Sequence, residues 1–161
     1  MKFGKTLTKV RSACSTHWAP KWLDYKALKI KIKGLKATSS GTCALNKRSP
    51  AVPLKREELK GDPKEAEFFS ALHRELKKSD VFIEKESKKL TQRYQLIKNS
   101  EEPNNKLRLE ALVALYRDCV ELEAYSVTQY CAFSKILKKH DKRTGYTFSF
   151  VDLFETNIHQ V

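Results

Sequence analysis

The chain has 161 residues, 40% hydrophobic and 32% charged, with only five Gly and five Pro. That is the size of one domain with a continuous core, and it excludes a disordered tail and a turn-rich β protein. The formal charge of +13 calls for an anionic partner: nucleic acid, an acidic membrane face or a polyphosphate.

Leu7 and Val10 give a short first helix over about Lys5 to Thr16. His17-Trp18-Ala19-Pro20 breaks it, and Pro20 suits the first turn of a second helix, so a helical hairpin is expected. In the second helix Trp22, Tyr25, Leu28 and Ile32 follow helical spacing, with Lys26, Lys29 and Lys33 on a neighbouring stripe. Residues 36–61 turn to Thr, Ser, Gly and Pro and read as a mobile loop. Asp62-Pro63-Lys64-Glu65 is a helix start signal, with Asp62 as the cap and Pro63 in the first turn. Phe69, Leu72, Leu76, Ile83, Leu90 and Ile97 carry the third helix to about Asn99. After a turn over 100–105, Leu112, Leu115, Cys119, Leu122, Phe133 and Ile136 carry a fourth helix to about Lys142, with Gly145 ending it nearby. Ser149 and Asp152 can start a last helix through Phe150, Phe154 and Ile158.

A short connection between two long amphipathic helices makes antiparallel packing economical. The expectation is an all-α fold, an amino-terminal helical hairpin packed on a long antiparallel helical pair, with a short carboxyl-terminal helix. One domain spans 1–161: hairpin 1–35, loop 36–61, long pair 62–143, short helix 149–161.

Charge is unevenly spread. Residues 1–36 hold ten Lys or Arg and one acid, Asp24, whereas 57–123 hold thirteen basic and fifteen acidic residues. A second basic block, Lys135 to Arg143, has five cations against Asp141. In it Lys135, Lys138, Lys139 and Lys142 fall at i, i+3, i+4 and i+7, within an arc of roughly 100°. Like charges at that spacing repel, and a merely solubilising face would intersperse acids, so a bound anion is expected. Lys rather than Arg suits a compact, crowded set of phosphates. An inositol ring with six phosphates carries on the order of −9 to −12 charge. No single helix neutralises that, and the amino-terminal lysines, with Tyr25 and Lys29 at i and i+4, are the candidates for a second basic element.

Three segments bear on identity: Met1-Lys2-Phe3-Gly4-Lys5, Trp22-Leu23-Asp24-Tyr25-Lys26-Ala27-Leu28-Lys29, and Phe133-Ser134-Lys135-Ile136-Leu137-Lys138-Lys139-His140-Asp141-Lys142-Arg143-Thr144-Gly145. Together they resemble, in order and separation, the three blocks of SPX domains, and the likeness runs from Met1 to about Phe154. The resemblance implies binding of inositol polyphosphates, inositol hexakisphosphate or an inositol pyrophosphate, as ligand and without a cofactor. It places the phosphate-binding cluster on Tyr25, Lys29 and Lys139, a neighbouring lysine cluster on Lys135, Lys138 and Lys142, and a further phosphate contact on Lys2. It also implies a role in phosphate homeostasis, with the ligand bridging the domain to a protein effector or a fused effector domain.

Other classes fit less well. No nucleophile with a base, carboxylate pair, metal set or phosphate-cradling glycine loop is visible, so neither catalytic nor metal-binding residues are expected. His17, His73, His140 and His159 are scattered, and His140 reads as a surface histidine. A nucleic-acid binder lacks a zinc pattern or heptad-linked basic region, and no nucleic acid is expected. A phosphoinositide or membrane-surface module would want exposed Phe or Leu beside the basic face. No membrane insertion is expected: no apolar run approaches the roughly 18 residues of a transmembrane helix. With neither a signal peptide nor a myristoylation site apparent, the expected location is the cytoplasm or nucleus, or the cytosolic face of a membrane within a larger membrane protein. Cys14, Cys43, Cys119 and Cys131 lack metal spacing and read as reduced thiols, Cys119 and Cys131 as small buried residues.

Overall fold

The computed structural model describes residues 3–35, 52–53, 62–100 and 105–147, the backbone alone at 52, 53, 146 and 147. The predicted final helix lies outside these residues, as do Lys2 and, apart from Val52 and Pro53, the predicted loop. Among the described residues there are four α-helices: α1 (Phe3–Ala13), α2 (Tyr25–Gly34), α3 (Pro63–Asn99) and α4 (Asn105–Thr144). They bear out the all-α expectation. One two-residue parallel strand pair joins β1 (Val52–Pro53) to β2 (Tyr146–Thr147), where the sequence predicts no strand. No helix among the described residues is long and apolar enough to cross a membrane.

The chain divides into two compact units, one of Met1–Leu23 with Lys77–Tyr130, the other of Asp24–Leu76 with Cys131–Val161. Both long helices contribute to each.

In the first unit α1 stops at Ala13, three residues short of the expected end. There the Glu121 carboxylate takes the Ser15 backbone N–H and, at 3.0 Å, the Ser15 hydroxyl, drawing the chain out of helical geometry. Pro20 does not open α2; it lies in a 3₁₀ turn, Thr16–Lys21. That short turn seats Trp18 edge-on against Phe82 and Tyr125, with ring centroids 5.1 and 5.8 Å away, and Trp22 lies 4.7 Å from Tyr125. The Lys21 carbonyl accepts from the Tyr125 hydroxyl at 2.8 Å, and the buried Gln129 accepts from the Leu23 N–H at 3.2 Å. The Gln129 amide donates to Ser79 Oγ at 3.0 Å and lies 2.8 Å from the Tyr125 hydroxyl. A fully apolar stripe would have left these turn groups buried without partners. Ser79 against Gln129, Phe82 against Tyr125 and the Arg93–Asp118 ion pair fix α3 and α4 as antiparallel here.

In the second unit Asp24, not Pro20, starts α2: its Oδ1 accepts from the Ala27 N–H at 2.9 Å, a side-chain N-cap. Leu28, Ile32 and Leu35 are buried, as are Phe68, Ala71, Leu72 and Leu76 of α3 and Ala132, Phe133, Ile136 and Leu137 of α4. Asp62 accepts from the Lys64 N–H at 2.9 Å at the α3 start, as its sequence predicts. Gly145 ends α4 with φ of 78°, its N–H returning to the Asp141 carbonyl at 2.8 Å.

The α3 core keeps Leu72 and Leu76 as predicted but takes Phe68 and Phe82 in place of their neighbours Phe69 and Ile83. Phe68 and Phe82 are buried, while Phe69, Ile83, Leu90 and Ile97 are half-buried. Two adjacent phenylalanines leave that choice open to apolar counting. On α4 Cys119 is exposed and Cys131 half-buried, against the expectation of buried thiols, because the core follows Leu115, Leu122, Tyr125 and Gln129. Cys14, Cys119 and Cys131 are free.

Replacing Tyr125 by Phe should keep the aromatic packing and cost about 1–2 kcal/mol, since the Lys21 carbonyl and Gln129 each lose a partner. Urea unfolding of the two proteins measures this, and an unchanged midpoint would mean that the hydroxyl is redundant.

Candidate functional site

The basic block of α4 is set by what the helix buries on its other side. Phe133, Ile136, Leu137, His140 and Thr144 are buried and cover one face. Lys135, Lys138, Lys139 and Lys142 fall on the opposite face and are exposed. The i, i+3, i+4, i+7 spacing thus presents four ammonium groups outward.

His140 is no surface histidine: it is completely buried. Its ring stacks on Phe68 at 5.0 Å with 8° between planes, and Phe69 meets it edge-on. Nε2 lies 2.9 Å from Glu65 Oε2 and Nδ1 lies 3.3 Å from Asp141 Oδ1. Burial alone would lower its pKa; the hydrogen bonds that the ring donates to Asp141 and Glu65, with the charges of those carboxylates, outweigh that and raise it. Glu65, read from sequence as part of a helix start signal, is therefore turned to His140.

On α2, Leu28 and Ile32 face inward, leaving Lys26, Lys29 and Lys33 exposed. Lys31 pairs with Glu67 of α3. A second tie is the Arg143 Nε–H, which donates to the Leu35 carbonyl at 3.2 Å. Between α2 and the end of α4 lies an open cleft of about 500 Å³ lined by Lys29, Ile32, Lys33, Lys139, Lys142 and Arg143. Five of these six side chains are cations and none is an acid. Among the described residues no carboxylate pairs with Lys29, Lys33, Lys139 or Lys142. Such a concentration of uncompensated charge suits a polyanion.

Of the candidates read from sequence, Lys29, Lys139 and Lys142 come together in the cleft. Tyr25, the first residue of α2, is half-buried one turn before Lys29, and burial raises the pKa of its hydroxyl. Lys135 and Lys138 stand exposed on the same α4 face but do not line the cleft. Lys2 lies outside the described residues. Lys33 and Arg143 are additions, each four residues beyond a lysine that the sequence singles out, Lys29 and Lys139.

The family model of the SPX domain matches residues 97–149. SPX domain-containing protein 2 of Arabidopsis thaliana is 35% identical over 162 residues, covering 90% of this chain and 53% of that protein. SPX domain-containing protein 1 of Oryza sativa subsp. japonica is 34% identical over 158 residues, covering 90% and 53%. The chain thus spans about half the length of these relatives. Among solved structures, the SPX domain of Chaetomium thermophilum glycerophosphodiester phosphodiesterase 1, in complex with inositol hexakisphosphate, superposes with a TM-score of 0.68. It is 25% identical, and the match covers 99% of this chain and 86% of that one.

The raised His140 pKa makes stability depend on pH. An imidazolium held by Glu65 and Asp141 contributes fully below 6.5, the ordinary value, and that contribution is lost as pH rises through the raised folded value. The melting temperature of the wild-type chain should therefore exceed that of Glu65→Gln most at about pH 5.5, with the gap narrowing toward about pH 8.5. A gap that widened with pH would mean that the buried ring is neutral.

Proposed function

Since the chain belongs to the SPX domain family, we propose that residues 1–161 form one inositol-polyphosphate-sensing domain with its phosphate site at the cleft between α2 and α4. The observation that carries this reading is the cleft lining, five cations with no acid. The ligand class is supported by the likeness to a solved SPX domain in complex with inositol hexakisphosphate.

Lys29, Lys139 and Lys142 form the centre of the proposed site, with Lys33 and Arg143 beside them. A neutral Tyr25 hydroxyl would donate from the α2 start. Lys135 and Lys138 add positive potential along α4, and Lys2 a further contact. Six phosphomonoesters carry on the order of −9 to −12 charge, more than the lining cations neutralise, so these outer lysines matter. Lys and Arg hold phosphate by charge-assisted hydrogen bonds, and a lining made of such cations supports the reading of a binding module. Occupancy would be read by a protein effector or a fused effector domain, and the output would serve phosphate homeostasis.

Calorimetric titration with inositol hexakisphosphate and pyrophosphorylated forms, at two salt concentrations, tests the site. Lys139→Ala and Lys29→Ala should each weaken binding about ten- to a hundredfold, Tyr25→Phe less. Lys77→Ala, on the exposed surface of α3 in the other unit, should leave affinity unchanged. Equal weakening by all three lysine changes would replace a defined cleft with diffuse attraction. Binding that DNA or acidic liposomes displaced as readily would count against the ligand class.

A further inference from the structure

The first unit carries a surface that the phosphate site does not use. On α4, Leu109, Val113, Tyr116 and Val120 succeed one another at steps of four, three and four residues, and the spacing continues through Glu123, Val127 and Tyr130. Apart from Glu123, this is an apolar heptad seam. The side chains are turned to solvent: Tyr116 is 70% exposed and Leu109 61%, with Val113 and Val120 above 40%. The core face of the same helix, Leu115, Leu122, Tyr125 and Gln129, lies on the order of 150° away. The helix therefore has two apolar stripes, and the first unit covers only one. Single exposed apolar residues are ordinary, but a heptad-spaced row of them is the geometry that packs against another helix.

The charges on this seam say which helix. Lys106 and Glu123 occupy the seam positions on either side of the run Leu109 to Val120, while Glu110 and Arg117 flank the centre of that run. We propose that two copies of the chain pair through residues 106–123 of α4, antiparallel, about an axis passing between Ala114 and Leu115. In that arrangement Val113 of one copy packs against Tyr116 of the other and Leu109 against Val120. Lys106 meets Glu123 at both ends. Glu110 lies opposite Arg117 along one edge, and Leu112 lies opposite Cys119 along the other. All of these are exposed in the single chain. Every charge on the seam and its edges finds its opposite because the series, plus, minus, plus, minus, is complementary to its own reverse. A parallel, in-register pair would instead stack Lys106 on Lys106 and Glu123 on Glu123, and like charges across a helical seam disfavour it. The segment is roughly 27 Å long, a small interface, so the dimer is reversible and concentration-dependent.

Sedimentation velocity over a wide concentration series of the full chain tests this. Wild-type protein should pass from monomer to dimer. Lys106→Glu and Glu123→Lys should each weaken the dimer about tenfold, since each sets two like pairs against each other. The double variant Lys106→Glu/Glu123→Lys should return to within about twofold of wild type, a rescue that parallel pairing does not give. Helical circular dichroism should be unchanged in all three variants, because both positions are on the surface. A chain that stays monomeric throughout leaves the seam to a helix of another protein and overturns the proposal. So does a dimer indifferent to the single swaps, or one that the double variant fails to restore.

Discussion

The buried imidazole of His140 fixes how α4 is turned in the unit that holds the cleft. A ring with no solvent exposure, stacked on Phe68 and reaching Glu65 and Asp141 at 2.9 and 3.3 Å, tolerates little rotation of the helix that carries it. Turning α4 by one residue, about 100°, would bring a lysine to the core and strand the Glu65 carboxylate. Breaking one side of a buried pair is costly, so the pair acts as a register device whatever its net contribution to stability. The outward face of Lys135, Lys138, Lys139 and Lys142 follows from the inward face of Phe133, Ile136, Leu137 and His140.

The cleft extends the same logic to α2. Asp24 caps the helix and its own N–H donates to Glu75 at 2.9 Å, so the first turn is held from both its side chain and its backbone. Leu28 and Ile32 then set the inner face, and Lys29 and Lys33 fall beside the Lys139 and Lys142 edge of α4. Acids are not scarce nearby, yet they are engaged elsewhere: Glu67 with Lys31, Glu65 with His140, Glu75 with the Asp24 N–H. The carboxylates position the helices, and the lysines left over define the cleft.

Much of this architecture is legible in the order of residues alone. Periodicity marks the long helices, because apolar spacing over so many turns admits few other readings, and Asp62-Pro63 and Gly145 mark ends through local backbone chemistry that does not depend on packing. The lysine face is legible because i, i+3, i+4, i+7 is a property of the helix itself. What escapes is set by tertiary partners. Pro20 suits a helix start and a 3₁₀ turn equally, and the burial of Trp18 and Trp22 against Tyr125 decides between them. His140 reads as exposed among lysines, since only Glu65, 75 residues earlier in sequence, gives it a reason to be inside. Ser79 and Gln129 are invisible to a search for apolar residues, although their hydrogen bonds join the buried face to the turn.

Helix α4 also shows how charge pattern separates two kinds of partner on one element. At its carboxyl end the cations stand together, with no acid lining the cleft, so only a ligand of the opposite sign relieves them. Over residues 106–123 the seam charges are balanced, two of each sign, and their order is complementary when reversed. An external anion would gain little there, whereas an apolar row bordered by self-complementary charge matches the two-fold symmetry of an isologous pair. A single stripe per helix is the usual assumption in reading a sequence, and it hides this second face, because Leu109, Val113, Tyr116 and Val120 interleave with the core residues in the chain. Exposure separates the two stripes, and charge order then distinguishes the surface that suits a polyphosphate from the one that suits a second copy of itself.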